Sequence, residues 1–423
     1  MACNEEETNL IKGHTLAIEN LDNPIIEVHP VESDIYSDLI SENAPDPNQF
    51  RPLNLMSHHT ISISYEFSAV ITPDGSLWSW GYNRVGQLGH GTTDSSATPM
   101  RVGIDTDWVS IATGSSFAVA LREDGSLWGW GADWDDRVNL QWPLAFATIT
   151  PMTTVPTQIG IDTDWASISA GSTHIMALRS DGSLWSWGWN DFGQLGTGTT
   201  ENSAIPIQVG TDTDWASVIA GDSHTLALKT DGSLWAWGWN DEHWFGEESL
   251  DSNESNRTLT PIQIGIDTDW VSIATGGHIA GIKADGSLWT WGRNSRGQLG
   301  DGTTTNRLTP AQVGTDTNWI SVVADAGSTL AIKEDGSLWA WGHNSHGLLG
   351  VGTTDDELIP TQIGTDTDWV DVAIEVHRIV AIKEDGSVWS WGQSGASPGN
   401  LIGDDGNENR YSPVKILEGN DLP

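Results

Sequence analysis

The chain has 423 residues, and 18 Lys and Arg stand against 58 Asp and Glu for a formal charge of −40. Such a surface repels nucleic acid and anionic lipid, since phosphate binding runs on Lys and Arg, and it favours cationic or neutral partners. Twenty-five Trp are too many for a solvated, disordered acidic chain, and no apolar run is long enough to cross a bilayer as a helix.

Residues 1–50 read as an acidic N-terminal segment or linker, with eleven acidic side chains against Lys12 alone. Cys3 is the one cysteine, so no intrachain disulfide can form. The run Cys3-Asn4-Glu5-Glu6-Glu7 resembles the start of a mature bacterial lipoprotein, whose cysteine carries the lipid. The alternative is an ordinary cysteine near a cytosolic N-terminus. The lack of any other cysteine favours an exported bacterial protein, so an exported or envelope location is preferred to a cytoplasmic one.

Residues 51–423 read as one domain built from repeats. The string Asp-Gly-Ser-Leu/Val-Trp-x-Trp-Gly starts at Asp74, Asp124, Asp181, Asp231, Asp285, Asp335 and Asp385, at spacings of 50, 57, 50, 54, 50 and 50. The first copy lacks the Asp-Thr-Asp-Trp segment that precedes the others, and Pro52-Leu53-Asn54-Leu55 lies upstream of it. In the second copy residues 132–151 replace a short Gly-rich loop and bring in Trp134, Trp142, Leu144 and Phe146.

The fourth copy shows the unit most clearly. Pro206–Gly210 opens with a proline that suits an edge strand, and Asp212–Ile219 supplies a strand opening on a polar turn. Thr225–Lys229 alternates apolar and polar residues. Asp231-Gly232 is a hairpin turn, because both residues tolerate positive φ. The return strand, Ser233–Gly238, puts Trp235 and Trp237 on one face and Leu234 and Ala236 on the other. A four-stranded sheet apolar on both faces must be covered on both, and radial repetition of such sheets makes a propeller. Each fully buried Trp removes roughly 150–250 Å² from water, or about 4–6 kcal/mol before entropy is charged. The fourth copy then departs from the pattern with Asp241-Glu242-His243-Trp244-Phe245-Gly246 and an acidic run to Glu254.

After the seventh tryptophan pair, Tyr411–Ile416 repeats the Pro-x-x-Val pattern with no hairpin behind it. This tail is expected to complete the blade begun near Pro52, so that strands from the two chain ends close the ring. Pro52–Leu55 competes for that role.

The segments Trp80–Gly89, Trp187–Gly196, Trp291–Gly300 and Trp341–Gly350 resemble the signature of the regulator of chromosome condensation repeat. Gly171-Ser172-Thr173-His174 and Gly221-Asp222-Ser223-His224 belong to the same signature. The resemblance covers roughly residues 52–416 and implies an all-β, seven-bladed propeller of four-stranded blades closed by N- and C-terminal strands. It does not fix function: the family includes a nucleotide exchange factor for a small nuclear GTPase, a plant ultraviolet-B photoreceptor, bacterial β-lactamase inhibitors and many interaction domains. The photoreceptor motif places a Trp-Arg pair before the repeat His. Here Ser172-Thr173, Asp222-Ser223 and Gly276-Gly277 stand there, which argues against light sensing by that route.

Three further patterns bear on chemistry. Aligned copies put Phe67, Phe117, His174, His224, His278, Ser328 and Arg378 in one column. Its histidines could converge on a metal, but a column that also takes Phe, Ser and Arg reads as packing. The Asp-Thr-Asp/Asn-Trp segments, such as Asp105 with Asp107 and Asp267 with Asp269, suit calcium less well than turn capping. Gly395-Ala396-Ser397-Pro398-Gly399 matches a nucleophile elbow in letters but lacks the strand and helix that motif requires.

The functional expectation is a non-enzymatic protein–protein interaction propeller without cofactor or metal. Trp134, Trp142, Phe146, Trp189, Trp239, Trp244 and Phe245 are its candidate anchors, for a partner that presents basic residues. An inhibitor of an extracellular enzyme is the first alternative. A carbohydrate-binding module is the second, and a guanine-nucleotide exchange factor the last.

Overall fold

The computed structural model describes residues 60–131, 153–240, 245, 256–395 and 401–419. These residues form seven antiparallel sheets of four strands each, arranged as a β-propeller. Among them the one helical element is a single 3₁₀ turn, Ser345–Gly347. Residues 1–50, with Cys3, lie outside the described residues.

The fifth blade shows how the repeat becomes a sheet. Its strands are Trp270–Thr275, His278–Lys283, Leu288–Gly292 and Arg307–Gln312, paired in that order. The first strands of the blades line a central channel of about 620 Å³, and the fourth strands form the outer rim. Each fourth strand carries one proline, at Pro99, Pro156, Pro206, Pro261, Pro310, Pro360 and Pro413.

The tryptophan pairs lie between sheets, as the alternation requires. Trp80, Trp130, Trp187, Trp237, Trp291, Trp341 and Trp391 are fully buried, and the first Trp of each pair is half-buried. Seven core clusters result, one at each junction between neighbouring blades. In the first of these junctions Trp108, Trp128 and Trp130 of blade two meet Leu77, Leu88 and Val102 of blade one.

The proline strand does not open a blade; it closes the preceding one. Ser203–Gln208, which contains Pro206, pairs with Leu184–Gly188 of the third blade. The repeat read from the sequence is therefore out of phase with the blade by one strand. In the correct phase nothing is left over at the C-terminus. Arg410–Leu417 pairs with Val388–Gly392 of its own blade, and the first blade is complete in residues 61–101. Among the described residues the N- and C-terminal strands share no sheet, and Pro52–Leu55 lies outside those residues.

The ring is closed instead by packing and by polar clasps. Val380, Ile382 and Val388 of blade seven pack on Ile61, Val70 and Trp80 of blade one. The Trp80 indole N–H donates to the Leu401 carbonyl at 3.1 Å, and the Thr60 hydroxyl donates to Asp371 at 2.6 Å. Arg378, fully buried, donates from Nη2 to the carbonyls of Ser64 at 2.5 Å and Phe67 at 2.8 Å.

Candidate protein-binding face

Antiparallel strands send alternate connections to opposite sides of the ring. The Asp-Gly hairpins and the Asp-Thr-Asp turns lie on one side, called here the hairpin face. The first-to-second and third-to-fourth strand loops lie on the other, the loop face.

On the hairpin face each motif residue has a task. The Asp181 carboxylate accepts the Ser183 N–H at 2.9 Å and hydroxyl at 2.6 Å, and that hydroxyl accepts the Trp185 indole N–H at 2.9 Å. The Ser183 bonds hold the Asp181 pKa below the usual carboxylate range. Gly182 has φ +81°, and a Cβ there would stand 2.1 Å from the Thr213 carbonyl of the next blade's turn.

The paired acids of those turns are counter-ions rather than turn caps. Lys283 Nζ lies 2.8 Å from Asp267 and 3.1 Å from Asp269, and 4.9 Å from the ring centres of both Trp270 and Trp289. Burial alone would lower its pKa, but the two carboxylates outweigh burial and raise it. Arg122, Arg179, Lys229, Lys333 and Lys383 sit between two tryptophans in the same way. Sequence reading missed this arrangement. Its signal was a cation ending the second strand of every copy that carries the paired acids.

The loop face is stiffened by a buried asparagine. Asn190 donates to the carbonyls of Thr199 at 2.9 Å and Glu201 at 3.0 Å, and accepts the Leu195 N–H at 2.9 Å. The loop also clips onto the next blade. Gly198 N–H donates to the Leu259 carbonyl at 2.9 Å, and the Gln194 carbonyl accepts the Trp237 indole N–H at 2.9 Å.

On this stiff base sit two of the expected anchors. Trp189 follows the third strand of blade three, Trp239 ends that of blade four, and both are half-buried. Their N–H groups donate to the Thr173 carbonyl at 3.0 Å and the Ser223 carbonyl at 2.8 Å. Phe192, which sequence reading passed over, lies with its ring centre 4.7 Å from that of Trp239, edge to face, across the blade boundary. Phe245 is not an exposed anchor. It is 4% exposed, and its N–H bonds to Asn240 at 3.1 Å as Leu195 does to Asn190, so it fills the loop-leucine place in the core. Trp134, Trp142, Phe146 and Trp244 lie outside the described residues, as do residues 396–400 of the elbow-like string. Residues 132–152 follow Gly131 and residues 241–244 follow Asn240, so both insertions leave from the loop face with one blade between them.

The aligned column lies just below this face, at the start of each second strand, and every member is buried. His174, His224 and His278 reach the hydroxyls of Thr225, Thr275 and Thr329 on the following blades at 3.1, 2.6 and 2.6 Å. Burial pushes their pKa values down to about 3, about 4 and about 4. Among the described residues no group of three or more His, Cys, Asp or Glu is arranged to hold a metal ion.

Comparison with known proteins agrees with this architecture. The RCC1-like domain model matches residues 37–328, and the regulator of chromosome condensation (RCC1) repeat model matches residues 335–374. The ultraviolet-B receptor UVR8 of Arabidopsis thaliana is 30% identical over 37% of this chain and 35% of its own. The mitochondrial RCC1 domain-containing protein RUG3 of the same plant is 27% identical over 55% and 53%. The chain thus spans about half or less of the curated relatives it matches. Yeast RCC1 (Prp20), solved bound to Kap60, superposes with a TM-score of 0.71 at 18% identity, covering 92% of this chain and 91% of its own. Human WBSCR16 gives 0.68 at 20% identity, covering 81% and 94%. The family model alone takes in more than half of the sequence, and this chain belongs to the RCC1-like domain family.

Proposed function

We propose that this propeller is a non-enzymatic protein-recognition module whose partner lies across blades two to four of the loop face and presents basic residues. The observation that carries this reading is the half-buried pair Phe192 and Trp239, which meets across two blades on loops fixed by buried asparagines, with Trp189 half-buried on the same blade-three loop as Phe192. Aromatic side chains on a rigid base lose little entropy on binding and are typical anchors. The surrounding charge of −40 favours a cationic partner and speeds its approach. Structural relatives of this fold bind proteins, as yeast RCC1 does with Kap60.

The test uses a partner recovered with the full chain and then purified. Trp189→Ala and Trp239→Ala should each weaken its affinity by about tenfold or more, on the order of 1.4 kcal/mol, while the melting curve stays cooperative. If both folded variants bind as the parent does, the partner sits elsewhere.

A further inference from the structure

The buried column makes the seven junctions chemically unequal. Phe67 and Phe117 seal the first two with apolar rings, and Arg378 clasps the seventh blade to the first. At the junction of blades six and seven, Ser328 bonds within its own blade, to the His343 carbonyl at 2.8 Å. The three junctions between, from blade three to blade six, each carry one histidine-to-threonine bond.

The hydrogen-bond network fixes the tautomer at two of them. The Thr225 hydroxyl donates to the Gln194 carbonyl at 2.9 Å, and the Thr329 hydroxyl to the Gln298 carbonyl at 2.8 Å. Each threonine proton is therefore committed, and His174 and His278 must donate from Nε2. Their Nδ1 atoms are then bare nitrogens, buried and without a partner. A proton added to His174 would create a buried cation with no acceptor at Nδ1, and at His278 the Asp325 main chain favours the cation too weakly to offset burial. Nor is there free space around the His174 ring, since a Cβ on Gly171 would stand 2.6 Å from Cε1.

We propose that blades three to six form an acid-labile sector of the ring, in which protonation of His174, His224 and His278 parts three consecutive junctions while blades seven, one and two stay joined. All three histidines titrate well below their ordinary 6.5 in the folded state, chiefly through burial. The unfolded chain thus binds more protons once the pH drops below about 6.5. Stability falls from there, and the loss is complete only below about 4 for two of the groups and about 3 for His174.

The charged groups facing these rings do not cancel the effect. His224 lies near His174 and opposes its protonation, while Asp222 favours protonation of His224 too weakly to offset burial. The main chain of Asp325 acts in the same sense on His278. The Asp325 carboxyl itself is pushed up to about 7, by burial first and then by Glu375 and Asp222. It gains stability as pH falls from about 7 toward 3.8, so one group opposes three. Arg378, lowered by burial to about 10, keeps its charge throughout. The sector includes Trp189 and Trp239, so acid would also release the partner proposed above; that consequence alone rests on the binding reading.

Amide hydrogen exchange on the full chain, without any partner and corrected for intrinsic rates, tests the proposal between pH 7.5 and pH 5. Residues 174–179, 224–229 and 278–283 should lose protection about tenfold or more, while 67–71, 117–122 and 378–383 change little. His174→Gln and His278→Gln keep a side-chain donor for the threonine but cannot titrate, and each should abolish the loss at its own junction. Uniform loss over all seven blades would overturn the proposal, as would variants that lose protection with acid as the parent does. Should the variants fail to fold, the blade-by-blade pattern of the parent still decides.

Discussion

At the scale of single residues, stability is concentrated where cations meet tryptophan. Lys283 is held by two carboxylates and two indole rings, with its side chain only 11% exposed. The acids are about half exposed, so their ion pairs contribute little through solvent screening; the ring contacts and the buried stem contribute more. Lys283→Ala should lower unfolding stability by about 1–2 kcal/mol, read from a urea midpoint. Lys283→Arg should be tolerated, since Arg122 and Arg179 fill the same place in blades two and three. Arg378→Met is a harsher change. It leaves the Ser64 and Phe67 carbonyls buried without that donor and Glu375 without its neighbouring cation. A loss of about 3 kcal/mol or more is expected, with the transition losing cooperativity at the seventh-to-first junction.

At the scale of strands, the sequence was informative about what pairs locally and misleading about where a blade begins. The hairpin at Asp231-Gly232 and the two-faced strand around Trp235 and Trp237 were legible because turn chemistry and alternation act over a few residues. The phase was not, because a repeat has no intrinsic starting point. Whether Pro206 opens one blade or ends another depends on pairing across a loop of some fifteen residues, which no local rule fixes. The lipoprotein-like start and four of the proposed anchors lie outside the described residues. Phe245 was misassigned because its sequence context matched an insertion while its backbone kept the place of a loop leucine. Contiguous blades change what truncation should do. Removing residues 410–423 strips the outer strand from blade seven but leaves Arg378, Thr60 and Asp371 in place. The melting temperature should fall, while small-angle scattering should still report a closed ring. An opened, expanded particle would show that the outer strand is needed for closure.

At the scale of the whole molecule, seven of the eighteen cations are spent on the interior. Arg122, Arg179, Lys229, Lys283, Lys333, Lys383 and Arg378 are between 80% and 100% buried at the side chain, so eleven cations remain to face 58 Asp and Glu. Because the paired acids already hold cations, neither EDTA nor calcium should move the melting curve. A stabilisation by calcium that chelation removes would mean that a metal competes for those acids. A last consequence concerns crowding. Seven outer strands expose edges that a neighbouring loop bonds at single carbonyls at most, such as Leu259, with apolar residues such as Met100, Val155, Ile205 and Ile359, and identical edges on neighbouring copies would ordinarily zip together into ribbons. Each edge is interrupted by a proline, and register shifts fall beside those at Pro99, Pro206 and Pro310. With no N–H at that point, a second strand finds its ladder broken midway. The rim thus stays unzippered at high local concentration, and such molecules can crowd side by side without polymerising.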